Sequence, residues 1–78
     1  MSQQGTEVSL EEIQKGDLMF FKGRNINSSC VGHVALVIDV QPGSIKIIHS
    51  TNRGVVIDEF TTSSYYKPRF LKARRIAY

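Results

Sequence analysis

The stretch Gly32–Ser50, GHVALVIDVQPGSIKIIHS, carries both histidines of the chain, one near each end. Its apolar residues recur with the period of a strand. Val34, Leu36, Ile38 and Val40 fall on one side, and His33, Ala35, Val37 and Asp39 on the other. After Pro42-Gly43 the alternation resumes, with Ile45, Ile47 and His49 sharing a side. The pattern is a β-hairpin, and its turn decides how the histidines relate. A two-residue loop would pair Gln41 with Ser44 and leave His33 and His49 on opposite faces. Pro42 cannot supply the positive φ that such a loop favours at its first position. The turn chemistry therefore points to a longer or bulged connection, which brings both histidines to one face.

Outward from the hairpin the chain continues in short extended runs. Upstream, SLEEIQKGD places Ser9 as an N-cap and Glu12 as its capping-box partner, with Gly16 ending the turn. DLMFF (Asp17–Phe21) reads as a strand and KGRNINSSCVG as a loop. Downstream, TNRG is a turn, VVIDEF (Val55–Phe60) a strand and TTSSYYKP a loop. RFLKARRIA (Arg69–Ala77) fits helix or strand on pattern. Leu71 to Arg74 are good helix formers, but Pro68 and Phe70 suit an extended approach, so a strand is expected. The fold expected is mainly β: about five short antiparallel strands in a curved sheet or half-barrel, with a short N-terminal helical turn, after a flexible lead-in over residues 1–8.

With 78 residues the chain is one domain and buries about 60–65% of the surface that its unfolded form exposes. A hydrophobic content of 41% excludes a disordered tail. The net charge of +3 is mild and demands no polyanionic partner. The single cysteine, Cys30, excludes an internal disulfide and a Cys-rich zinc frame. No apolar run approaches the roughly 20 residues that span a bilayer, and MSQQGTEVSL lacks the apolar core of a signal peptide.

His33 and His49 are either half-exposed strand residues or a general base and the group that fixes its ring. Ala35 is small enough for another element to pack closely over the His33 side. Cys30 precedes His33 by three residues in a loop without a helix start, so it reads as a loop thiol and not a nucleophile. Cys30, His33, His49 and Asp39 have metal-ligand chemistry, but Cys-x-x-His has no second half, so no metal is expected. Asp17 reads as a strand-start or turn group, and Asp39 and Lys46 as a cross-hairpin pair. Lys67, Arg69, Lys72, Arg74 and Arg75 are half of the ten basic residues, beside Tyr65, Tyr66 and Phe70. They suit a polyanion patch, but their confinement to one segment favours a solvated face and no nucleic acid.

GDLMFF, GHVALVID, IIHS, GVVIDEF and YYKPRFLKARRI resemble, in order and spacing, the second half of the NlpC/p60 family of bacterial cell-wall cysteine peptidases. The likeness runs from about Leu10 to Ile76. It implies a papain-like α+β parent fold, with His33 as catalytic base and His49 as the orienting third residue. It also implies Cys-His-His acyl transfer on γ-D-glutamyl–diamino acid bonds of peptidoglycan stem peptides, without cofactor. Ala35 stands where the family usually has glycine, and the hairpin loop looks longer. The family's cysteine lies in an Asp-Cys-Ser motif at a helix start upstream of Gly-Asp-Leu, and this chain has no such motif. Residues 9–78 are thus expected to be the β-sheet half of a peptidase domain, inactive alone, from an exported parent. The face around His33, Ala35 and Val37 is expected to be uncovered and to favour self-association. The rival class is a small non-catalytic β-barrel that binds a peptide, cell-wall glycan or nucleic acid.

Overall fold

The computed structural model describes residues 6–76. It contains one unclosed antiparallel sheet of six strands. These are β1 (Thr6–Val8), β2 (Leu18–Lys22), β3 (Val31–Gln41), β4 (Ser44–Thr51), β5 (Gly54–Glu59) and β6 (Phe70–Arg75), in spatial order β1-β6-β2-β3-β4-β5. Short 3₁₀ turns occupy Leu10–Glu12 and Lys67–Arg69. The expected N-terminal turn is there: the Ser9 N–H donates to Glu12 Oε1 at 3.5 Å, and Gly16 beyond it takes φ +96°. The lead-in expected over residues 1–8 needs correction. Thr6 and Val8 pair with Arg75 and Ala73, so Thr6–Val8 form the strand β1, one strand more than the five expected, while residues 1–5 lie outside the described ones. The last segment is a strand, because β6 is flanked by β1 and β2 and that pairing outweighs the helix propensity of Leu71 to Arg74. Ala77 lies outside the described residues.

The central hairpin does close with two residues, since Gln41 pairs with Ser44. Gly43 takes the positive φ, +76°, after Pro42, which is the arrangement of a type II turn. The register then shifts between Val37 and Asp39, so Ile38 is the extra residue of a bulge. Beyond it Val37 faces Ile47 and Leu36 faces Ile48. Both histidines come to one face, through a bulge within β3 and not through a longer loop. Glu59 fastens the turn end of the hairpin. It accepts the Ile45 N–H at 3.0 Å, the Thr61 N–H at 3.2 Å and the hydroxyls of Ser44 and Thr61. The Ser44 and Thr61 hydroxyls lead in pulling its carboxyl down to about 2.

The core lies on the histidine side of the sheet. Met19, Phe21, Ala35, Val37, Ile47, Phe60 and Ala73 are buried there, with Val8, Ile13 and Ile45 around them. This overturns the expected bare face at Ala35 and Val37. The connection from Phe60 to Arg69 folds back over that face, so that Phe21 packs against Phe60, Tyr66 and Phe70 at centroid distances of 5.8, 5.5 and 6.1 Å. Burying Phe21 stabilises the fold by roughly 1.5–3 kcal/mol. The opposite face carries Val34, Leu36, Val55 and Ile57, all exposed.

Asp17 is a structural group. The guanidinium of Arg75 donates to both its carboxylate oxygens at 3.0 Å, and the Gln14 N–H donates to Oδ2 at 2.8 Å. Burial raises the Asp17 carboxyl, but the Arg75 and Gln14 hydrogen bonds outweigh it and hold it below its ordinary value. Arg75 also donates to the Glu12 carbonyl at 2.8 Å, which ties the N-terminal turn, and Ile13 with it, to β6.

Candidate active site

The site begins where Gly32, near the start of β3, meets Gly23 just past the end of β2. A Cβ placed on Gly32 would lie 2.7 Å from both Cα and N of Gly23, so only glycine permits this approach. The next residue, His33, stands opposite Phe21 on β2. On the neighbouring strand β4, His49 is buried, and its Nδ1 lies 2.7 Å from His33 Nε2. The other nitrogen of His49, Nε2, lies 2.6 Å from Oδ2 of Asp58 on β5. Tyr66 roofs both rings, stacked on His33 at 5.8 Å and 18° and edge-on to His49 at 5.0 Å and 87°. Burial, and next the charge of His49, lower the pKa of His33, which favours its neutral, proton-accepting form. Burial, with Asp58 next, raises Tyr66, which keeps its hydroxyl protonated.

His33 opens onto a cleft of ≈ 530 Å³ whose walls include Lys22, Gly23, Arg24, Tyr65 and Tyr66, with Ser50 to Asn52 behind. Arg69 ties the walls together. It donates to the Gly23 carbonyl at 3.3 Å and the Tyr65 carbonyl at 2.9 Å, and its guanidinium lies 3.9 Å from the Tyr65 ring centroid. Lys22 and Arg24 put positive charge on the walls, and among the described residues no carboxylate lines them. A neutral imidazole held by a second imidazole at the side of a cationic cleft is equipped to take a proton from a nucleophile and return it to a leaving group.

A family model of the NlpC/P60 family matches residues 1–75. The chain belongs to the NlpC/P60 family. It is 38% identical over 74 residues to the gamma-DL-glutamyl hydrolase of Bacillus subtilis, covering 94% of this chain and 17% of that protein. It is 36% identical over 73 residues to a probable endopeptidase of Haemophilus influenzae, covering 92% of this chain and 41% of that one. The chain therefore spans less than half the length of these curated relatives. The parent fold of the NlpC/P60 family is papain-like α+β, and the sheet seen here is its β layer.

In this NlpC/P60 chain the other candidates separate from the histidines. Cys30 is exposed in the loop before β3, its N–H donating to Ser28 Oγ at 3.1 Å, and it does not line the cleft. Among the described residues no three His, Cys, Asp or Glu side chains are grouped to hold a metal ion. Asp39 faces Lys46 across the hairpin, as expected of a cross-strand pair. The basic C-terminal cluster is dispersed over separate tasks: Arg75 pairs with Asp17, Arg69 braces the cleft, and Lys72 lies over Phe20. Its aromatic companions are dispersed too, with Phe70 packed on the core and Tyr66 on the histidines.

Sequence reasoning missed Asp58 and the roofing role of Tyr66. Asp58 had one available signal. Val56 and Asp58 share one side of β5, the core residue Phe60 just beyond the strand continues the same alternation, and a carboxylate in that series asks for a partner. Tyr66 had none, since its position depends on how the Phe60–Arg69 connection folds back.

Proposed function

We propose that the whole protein is a cell-wall hydrolase of the cysteine peptidase kind, acting on γ-D-glutamyl–diamino acid bonds of peptidoglycan stem peptides outside the cytoplasm. His33 keeps a cysteine as thiolate. The thiolate attacks the carbonyl, and the tetrahedral intermediate collapses to a thioester. His33 in its protonated form delivers a proton to the departing amine, then activates the water that releases the enzyme. His49 holds the His33 ring throughout. Cys30 does not supply the thiolate, so this chain alone is inactive. The observation that carries the reading is the 2.7 Å contact between His33 Nε2 and His49 Nδ1 at the edge of the cleft. Two further observations support it. The printed names of the relatives are those of a gamma-DL-glutamyl hydrolase and a probable endopeptidase. Lys22 and Arg24 also line the cleft, with no carboxylate beside them among the described residues, which suits a substrate whose γ-linkage leaves the α-carboxylate of glutamate free.

The test is an assay of the full-length protein on a γ-D-glutamyl-diaminopimelate peptide, with an α-linked isomer as control. Cleavage of the γ-linked peptide is expected, falling by at least about 10³-fold in His33→Ala, since base and thiolate partner are lost together. The 78-residue chain is expected to give no turnover. Undiminished cleavage by His33→Ala overturns the reading.

A further inference from the structure

We propose that Asp58 is a positioning residue that sets the tautomers of both histidines and so decides which nitrogen of His33 is the base, an inference that rests on the reading of His33 as base. The argument is a count of protons along a row of three groups. His33 Nε2 lies 2.7 Å from His49 Nδ1, and His49 Nε2 lies 2.6 Å from Asp58 Oδ2. An ionised carboxylate only accepts, so the proton in the second contact sits on His49 Nε2. A neutral imidazole has one N–H, so His49 Nδ1 carries a lone pair and accepts. The proton in the first contact must then belong to His33 Nε2. Neutral His33 has spent its one N–H on His49, and its Nδ1 is the bare nitrogen available to the cleft.

Without Asp58 the row has no fixed end. His49 then holds its proton equally well on Nδ1, where it donates to His33 Nε2 and drives the His33 proton to Nδ1. In that arrangement the base atom is blocked. The fold has put the carboxylate where this matters. The His49 side chain is fully buried, out of reach of bulk solvent, whereas the Asp58 side chain is 36% exposed and keeps part of its hydration. Tyr66 packs on both rings and restrains them from flipping.

Imidazole nitrogen shifts of the ¹⁵N-labelled 78-residue chain test the proposal directly, because NMR distinguishes N–H from bare nitrogens without any turnover. Both histidines are expected to be Nε2–H tautomers at neutral pH. Finding His49 or His33 as the Nδ1–H form in the wild-type chain overturns the proposal, whatever the variants do. In Asp58→Ala the His49 signals are expected to move toward an average of the two tautomers; unchanged tautomers with an intact fold overturn it as well. In the full-length protein, Asp58→Ala is expected to lower kcat at least about 10-fold with little change in KM, and Asp58→Asn, which can still accept from Nε2–H, to recover part of the loss. Cleavage by the His33→Ala protein is a separate measurement, so failure of the peptidase reading and failure of the tautomer assignment are told apart.

Discussion

At the scale of single residues, the histidine pair was legible and its carboxylate was not. His33 and His49 lie on two well-alternating strands joined by one turn; their shared face was expected from a longer or bulged loop, whereas the loop closes with two residues at Pro42-Gly43 and the bulge at Ile38 sets the parity. Asp58 reaches His49 from the next strand, where Val55, Val56 and Ile57 are apolar on both sides, so the one signal of its orientation was Phe60 two residues on, and nothing in the sequence named His49 as its partner. The pH behaviour follows from His33. Its folded pKa lies below the ordinary 6.5, because burial and the charge of His49 oppose protonation. The folded chain thus resists a proton that the unfolded chain accepts. This contribution to stability is complete above about pH 6.5 and is lost as pH falls through the folded value. An NMR titration should give a His33 midpoint below 6.5, and thermal unfolding should show a midpoint that declines over the same window; a His33 midpoint at or above 6.5 contradicts the burial argument.

At the scale of elements, β2 to β6 were legible because each is a run of apolar or alternating residues between turn signals. β1 was not: Thr6, Glu7 and Val8 have one buried residue among them, and their partners on β6 lie at the far end of the chain. The core face of β3 was also illegible, since Val34 and Leu36 on one side are as apolar as Ala35 and Val37 on the other. The cover supplied by the Phe60–Arg69 connection decides between them, and that is a tertiary choice. The bulge at Ile38 has a consequence for hairpin length. Val37 pairs with Ile47 and Asp39 with Lys46, neighbours on β4, so Ile38 is opposite no residue of its own. Deleting Ile38 should leave a regular hairpin with the same pairs on either side and both histidines still on one face. The imidazole spectrum of the deletion variant checks this: retention of the His33–His49 contact is expected, and its loss would show that the twist added by the bulge is needed to bring the rings together.

At the scale of the whole molecule, the sheet turns two unlike faces outward and inward. The buried face holds the histidines and the aromatic core, while the exposed one shows Val34, Leu36, Val55 at 70% and Ile57 at 58% exposure. Val55 and Ile57 lie on β5, which is also an edge of the sheet, with no strand paired beyond it among the described residues. A second copy fits this feature best, because two identical edges pair antiparallel about a two-fold axis and cover their apolar residues together. Self-association is therefore expected through the β5 edge and not through the His33 side. Light scattering should report a mass that rises toward a dimer at millimolar concentration; a monomer throughout sinks the expectation. The position of β5 at the edge matters in one more way. It carries Asp58 with a neighbour on one side only, so any strand added there stiffens the last member of the histidine row. If a strand docks there, assembly and proton placement would share a free energy, and linkage would make that sharing reciprocal: a partner on the edge would tune the base, and fixing the base would strengthen the docking. The same dilution series, followed by the imidazole nitrogens of His33 and His49, would register that coupling as shifts that track the mass.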